Sequence, residues 1–379
     1  MSTLTPGQIL DYLRSREAAM ASLLQEIMAI ESPTTNKAAV DQLAAFLAQH
    51  LRGMGAAVEI LPQVSVGDVI RATWNAGDGG ILLLCHMDTV WDLGTIHADW
   101  VRTEDGRIYG PGSMDMKGGI VVTLGAIEAL QALGGLPDTP ITLLINTDEE
   151  TGSEASAPII EAEARRHRVV FVMEPAEDGA YKTSRKGMSQ YQVHITGRAT
   201  HAGANHAEGV NAIEELARQI LTIQGFTDYA AGTTTNVGIV QGGTRSNVVP
   251  AQAWAHVDSR ATSQARQQEL DAKMRALKPH HPEAQIEVTG GIEAPPLERT
   301  PQIAALFAQA QAIAREIGID LREIAVGGGS DGNRTAALGV PTLDGMGVGG
   351  AGGHAINEYA VIASLPERAA ILAAMLRSV

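Results

Sequence analysis

Acidic side chains and a histidine stand at the ends of apolar runs, where a strand interior has no use for them. The run "LLLCHMDTV" (82–90) closes on His86 and Asp88, "ITLLINTDEE" delivers Asp148, Glu149 and Glu150, and "RVVFVMEP" ends on Glu174. Each polar head costs free energy at the edge of an apolar core unless it finds a partner. In an open α/β sheet the ligand crevice lies beyond the carboxyl ends of the strands, so these side chains are expected to converge there. Asp115 in "GPGSMDMKGG" and His354 in "GGAGGHAINE" sit in glycine-rich loops able to bring a side chain to the same rim. Imidazole with several carboxylates suits zinc, which such groups bind at ~2.0–2.2 Å. Acids gathered this densely repel one another unless cations neutralise them. The economical answer is a metal pair ~3.5–4 Å apart that shares a bridging carboxylate, activates water near neutral pH and polarises a carbonyl.

The elements that must position these groups are legible from periodicity. Apolar positions recur at helical spacing from residue 10 to about 53, interrupted by Ser32, Pro33 and Thr34, so two amphipathic helices are expected. "ILLLC" (81–85), "ITLLIN" (141–146) and "RVVFVM" (168–173) read as strands buried on both faces of a mostly parallel sheet, alternating with helices such as "GGIVVTLGAIEALQAL". After about residue 187 the texture changes. "YQVHITG" alternates, with Tyr191, Val193 and Ile195 on one face and Gln192, His194 and Thr196 on the other. A helix from about Asn211, strands in "TTNVGIV" and "AWAHVDSR", a helix from about Gln264 and a strand in "QIEVTG" complete the split βαβ order of a small ferredoxin-like domain. The expected architecture is therefore α/β: a mostly parallel central sheet flanked by helices in 1–186 and 293–379, with an inserted ferredoxin-like α+β domain over 187–292.

Composition narrows the function. The chain is long enough, at 379 residues, to bury a sizeable core and to form more than one domain. Its net charge of −15 offers no basic field for nucleic acid or an anionic membrane surface. The first residues lack a basic leader and a continuous apolar region, and no stretch approaches the ~20 apolar residues of a membrane helix. Cys85 is the sole cysteine, which excludes an intrachain disulfide and reads as core rather than as reactive thiol. A cytoplasmic location is expected.

Taken in order, "HMDTV", "GPGSMDMKGG", "TDEETGS", "MEP", "ATHAGANHAEGVNA", "SNVVP", "VDSR", "GGGSDGN" and "GGHAINE" resemble a known family. It is that of the dinuclear zinc peptidases and amidohydrolases, which includes glutamate carboxypeptidase, aminoacylase-1, succinyl-diaminopimelate desuccinylase and acetylornithine deacetylase. The glutamate carboxypeptidase branch is the nearest match. The resemblance implies two zinc ions per subunit, with cobalt or manganese as possible substitutes. By it, His86 and Glu174 bind one ion, Glu150 and His354 the other, and Asp115 bridges both across a cis Asp115–Met116 peptide. Glu149 is then the general base and Asp88 orients the His86 ring. His201 stabilises the oxyanion from the partner subunit of a homodimer formed through the inserted domain. Asn247 and Arg260 hold the substrate's terminal carboxylate, and Gly328, Gly329 and Ser330 offer backbone N–H groups near it.

The implied reaction is hydrolysis of an amide bond next to a free carboxylate, in a small peptide or an N-acyl amino acid. A deacylase of acetylornithine deacetylase or desuccinylase type is the enzymatic alternative. A catalytically silent ligand-binding member is the non-enzymatic one, against which Glu149 argues, since binding alone needs no base. One departure stands out: where relatives often carry an arginine before a proline, this chain has Glu293, Ala294 and Pro295. That puts preference for a C-terminal glutamate in doubt. Asp148 reads as a cap or turn residue. His97, His194, His206, His256, His280 and His281 have no motif support and are assigned to structure or solvent.

Overall fold

The computed structural model describes residues 4–95 and 100–379, so His97 lies outside the described residues. Two compact units emerge: Met1–Thr183 with Arg299–Val326 and Ser330–Val379, and Ser184–Glu298 with Gly327–Gly329.

The first unit is built on a six-stranded sheet. Across it lie Ala57–Leu61, Val69–Trp74, Ile141–Asn146, Ile81–His86, Val169–Val172 and Thr342–Leu343. The last four run parallel, and Val69–Trp74 is antiparallel to both its neighbours. Leu82, Leu84, Leu144, Val170 and Val172 pack on one face with Ile160 and Ala164. Ile81, Leu83, Cys85, Leu143, Ile145 and Phe171 enter the larger core on the other. Burial on both faces is why these strands read as unbroken apolar runs instead of alternating ones. Register then sets the site: His86 lies beside Asn146, and Leu84 beside Val172, so the chain beyond Asn146 and Val172 leaves the sheet at the same rim as His86.

Two features bring further segments to that rim. The Lys117–Ala132 helix is buried along most of its length, and its start sits hard against the end of a strand: a Cβ on Gly119 would lie 2.0 Å from the Met173 carbonyl oxygen. Only glycine permits that approach, and it draws the Asp115 loop towards Glu174. The break at Ser32–Thr34 is also more than a helix stop. Ser32 Oγ donates to Met87 O (2.7 Å) and Thr34 Oγ1 to Asp88 Oδ2 (2.6 Å), pinning this segment beside the turn after His86. The helical stretch before it is two helices, Pro6–Ser15 and Glu17–Ala29, rather than the one expected; the chain steps between them at Arg16, whose N–H bonds back to Leu13 O.

The second unit has a four-stranded antiparallel sheet, in the order Thr234–Gly242, Gln252–Ala261, Gly187–Thr196 and Gln285–Ala294, with helices Ala212–Gln224 and Gln264–Arg275. The chain order is βαββαβ. Tyr191, Val193 and Ile195 are buried with Leu216, Ile223 and Met274, while Gln192, His194 and Thr196 are only partly covered, as the alternation predicts. No helix among the described residues is long and apolar enough to cross a membrane.

Candidate metal centre

His86 ends its strand fully buried, with Nδ1 3.3 Å from Asp88 Oδ1 and Nε2 3.2 Å from Asp115 Oδ1 and 3.4 Å from Glu174 Oε1. The second oxygen of Asp115 lies 3.4 Å from His354 Nε2, which is itself 2.8 Å from Glu150 Oε2. Asp115 thus presents one oxygen to each histidine, and its peptide bond to Met116 is cis, as the resemblance implies. Ligand atoms of His86, Glu149 and Glu174 fall within 4.8 Å of one another, as do those of His86, Asp115 and Glu150. Distance alone therefore does not separate Glu149 from the ligands. Its separate role rests on the resemblance.

Asp88 does more than face a ring. Buried, it also accepts the backbone N–H groups of Glu149 (3.3 Å) and Glu150 (3.2 Å), so one carboxylate lies against the His86 ring and holds the short 3-10 turn Glu149–Thr151. Asp148 anchors the other side of this turn, accepting from Ser156 Oγ (2.5 Å) and Ala155 N (2.8 Å), in keeping with its reading as a turn residue.

The electrostatics of the cluster ask for cations. Burial pushes the Glu149 carboxyl well up, with Glu174, Asp331 and Asp115 adding repulsion, and burial likewise raises Glu150. Burial opposes charge on His86, yet Asp115, Asp88 and Glu174 hold its pKa well above the ordinary value. Asp115 and Glu150 raise His354 to about 10. Asp115 is held below the usual carboxylate range by the two histidines, against its burial. In effect the imidazoliums lend the acids the positive charge that divalent ions would supply. Two imidazoles and four carboxylates, one of them shared between the histidines, fit a metal pair.

Residues outside the expected set hold this arrangement. Asp331 accepts from Ser153 Oγ (2.5 Å) and Asn146 Nδ2 (2.6 Å), and Arg334 Nη2 donates to Gly152 O (2.6 Å), so the start of the Asp331–Ala337 helix grips the turn that carries Glu149. Burial raises the Asp331 carboxyl to about 6. Glu358 accepts the N–H groups of Gly112, Met114 and Asp115, and burial outweighs these bonds to raise it to about 7. Both acids lie inside motifs visible in the sequence, "GGGSDGN" and "GGHAINE", but spacing does not disclose which backbone groups a carboxylate will meet.

In the second unit, His201 is exposed, and its Nδ1 accepts the N–H groups of Gly203 and Ala204 (3.1 Å each). A neutral ring with that acceptor carries its proton on Nε2, free to donate. Asn247 is its neighbour: Ala202 N donates to Asn247 O (3.0 Å) and His201 bridges Val248. Arg260 is elsewhere. It lies at the far end of Gln252–Ala261, opposite Thr234 and Met188, with its guanidinium paired to Asp258 at 2.8–3.0 Å. Gly329 is at Arg260's end, against Met188, and the carbonyls of Gly328 and Gly329 accept from Arg185 Nη1. At ~3.3 Å per residue, the strand between Asn247 and Arg260 separates them by roughly 25 Å, so one chain does not bring the two together. Ala294, in the stretch Glu293–Pro295 that departs from the family pattern, pairs with Met188 at this same end and offers no charge. Ser330, in the first unit, is engaged in capping: its hydroxyl donates to Asp344 (2.6 Å) and accepts from Gly332 N, while its N–H donates to Asn333.

A mostly parallel α/β sheet whose rim gathers two histidines and a cluster of acids defines a metal-dependent hydrolase. Comparison with known proteins gives the family: residues 82–378 match the model of "Peptidase family M20/M25/M40", and the chain belongs to it. It is a metallopeptidase-class hydrolase. Carboxypeptidase G2 of Pseudomonas sp. (strain RS-16) is 33% identical over 364 residues, 93% of this chain and 87% of that protein. The fold is shared with aminopeptidase PepT from Bacillus cereus (TM-score 0.78, 23% identity, 95% of this chain and 98% of the other). It is shared also with the M20 family metallo-carboxypeptidase Sso-CP2 from Sulfolobus solfataricus (TM-score 0.71, 19% identity, 94% and 98%).

Proposed function

We propose that this protein is a carboxypeptidase acting on small peptides or N-acyl amino acids, cleaving the amide bond next to a free carboxylate with two zinc ions, for which cobalt or manganese could substitute. The observation that carries the reading is Asp115, which turns one oxygen to His86 and the other to His354, with Glu149 buried beside them. His86 and Glu174 would hold one ion, Glu150 and His354 the other, and Asp115 both. Bound there, the pair supplies Lewis acidity, polarising the scissile carbonyl and easing deprotonation of water. Glu149 takes the proton of the attacking water and delivers it to the leaving amine. Burial supports that role, because raising a carboxyl's pKa makes it a stronger base towards the attacking water. Asp88 keeps the His86 ring and the Glu149 turn in place together.

His201, donating from Nε2, stabilises the developing oxyanion. We assign the terminal carboxylate of the substrate to Asn247 and Arg260, and we assign His201, with Asn247 beside it, to the partner copy of a homodimer formed through the inserted domain. The roughly 25 Å between Asn247 and Arg260 within one chain supports this, since a small substrate cannot span it. Without a cation at Ala294, no preference for C-terminal glutamate is assigned. A buried lone cysteine agrees with a reducing cytoplasm.

The deacylase alternative uses the same chemistry; likeness to a protein named carboxypeptidase favours the first reading. The test is a panel of dipeptides, N-acyl amino acids and their C-terminal amides, assayed with zinc. Free-carboxylate substrates should turn over, and capping the carboxylate should lower kcat/KM by at least about 100-fold, the scale of two charge-assisted hydrogen bonds. Equal turnover of the amides would refute recognition of the carboxylate.

A further inference from the structure

We propose that Glu358 is a positioning residue for the metal centre: its carboxylate gathers three backbone N–H groups of the Asp115 loop and thereby sets where Asp115 stands relative to His354. The inference rests on the metal-site reading above. Gly112 N bonds Oε2 at 3.0 Å, and Met114 N and Asp115 N bond Oε1 at 2.9 and 3.0 Å. Glu358 is buried, and its own carbonyl accepts from Gly110 N (3.1 Å).

The geometry ties two loops together. One leaves the Arg107–Tyr109 strand and reaches Asp115; the other carries His354 and returns into the Tyr359–Val361 strand. Tyr109 pairs with Tyr359, so both loops spring from one antiparallel pair. Both are rich in glycine, hence costly to order. Glu358 is the last residue of the second loop; its carboxylate bonds three residues of the first and its carbonyl a fourth. Its place four residues after His354 and its bond to the amide of Asp115 itself tie the bridging carboxylate to the histidine that shares it. A carboxylate suits the task because three donors meet two acceptor oxygens. An amide would offer one oxygen and set its NH₂ against an N–H.

The test uses metal-free full-length protein titrated with Zn²⁺ against a chromophoric chelator, with the Co²⁺ absorption spectrum and the Tm of the metal-free form as further readouts. Glu358→Ala should bind metal ~10- to 100-fold more weakly, the usual cost of losing an outer support. Glu358→Gln should fall between it and wild type, and the Co²⁺ spectrum should change in both. In an Asp115→Ala background, adding Glu358→Ala should weaken binding by no more than about two-fold, because the effect runs through Asp115. A merely structural Glu358 would lower Tm while leaving the metal affinity and Co²⁺ spectrum of the folded protein alone. That result, or full additivity with Asp115→Ala, overturns the proposal. If Glu358→Ala does not fold, Glu358→Gln decides alone, and wild-type metal affinity in it is the overturning result. A wild-type chain that takes up no metal would sink the metal reading instead.

Discussion

Loading the metal-free protein with zinc at pH 7 should release at least about two protons per subunit. The count follows from the two histidines. His354 is raised to about 10 by Asp115 and Glu150, so at pH 7 it is almost wholly protonated. His86, buried against Asp88, Asp115 and Glu174, is also held well above its ordinary value. Each must be neutral to ligate, so binding expels one proton from each ring. Glu149 and Glu150, both raised, add whatever protons they still carry. Calorimetric titration in buffers of different ionisation enthalpy reads the count as a slope, and His354→Ala should reduce it by about one. Apparent affinity should rise with pH across the neutral range. The same shifts act on the metal-free fold. A raised histidine stabilises fully below its ordinary pKa of 6.5, and this is lost as pH climbs through about 10. Raised carboxyls act in the same direction above 4.5. Lowered Asp115 does the reverse, its contribution present above 3.8 and lost on further acidification. Metal-free protein should therefore lose stability from about pH 6.5 to 10, and bound zinc should flatten that decline. Zinc binding with no proton release would refute the charge assignment.

Other expectations follow from single contacts. Glu149→Gln should retain two metal ions yet lose roughly 100-fold or more in kcat, since a general base contributes ~10²–10⁴; wild-type turnover would remove Glu149 from that role. Asp331→Ala strands the Ser153 hydroxyl and the Asn146 amide and should destabilise the fold by about 1–3 kcal/mol, read from the denaturation midpoint. An unchanged midpoint would show that the network is not needed. Burial raises the Cys85 thiol to about 12, so the native protein should resist alkylation at pH 8 and react only once unfolded.

Much of this was legible in the sequence because the physics was local. Strands buried on both faces must be continuously apolar, so "ILLLC", "ITLLIN" and "RVVFVM" announce themselves, and the polar residues that close them mark the rim. Alternation in "YQVHITG" betrays a sheet with one covered face for an equally local reason. What stayed hidden depends on register and loop path. That Asp88 would hold the Glu149 turn as well as face a ring, that Glu358 would collect three amides of a loop more than 240 residues earlier, and that Asn247 would stand beyond one end of the Gln252–Ala261 strand with Arg260 near the other all require the fold. The step at Arg16 was missed because the helical period runs through it with no glycine or proline to mark the break.

The most direct test of the account is to strip the protein of metal, confirm its absence by mass spectrometry, and follow amide hydrolysis while Zn²⁺ is returned stepwise. The account predicts no turnover without metal, and activity that climbs with bound zinc to a plateau at two ions per chain. Full activity in the verified metal-free protein would contradict it.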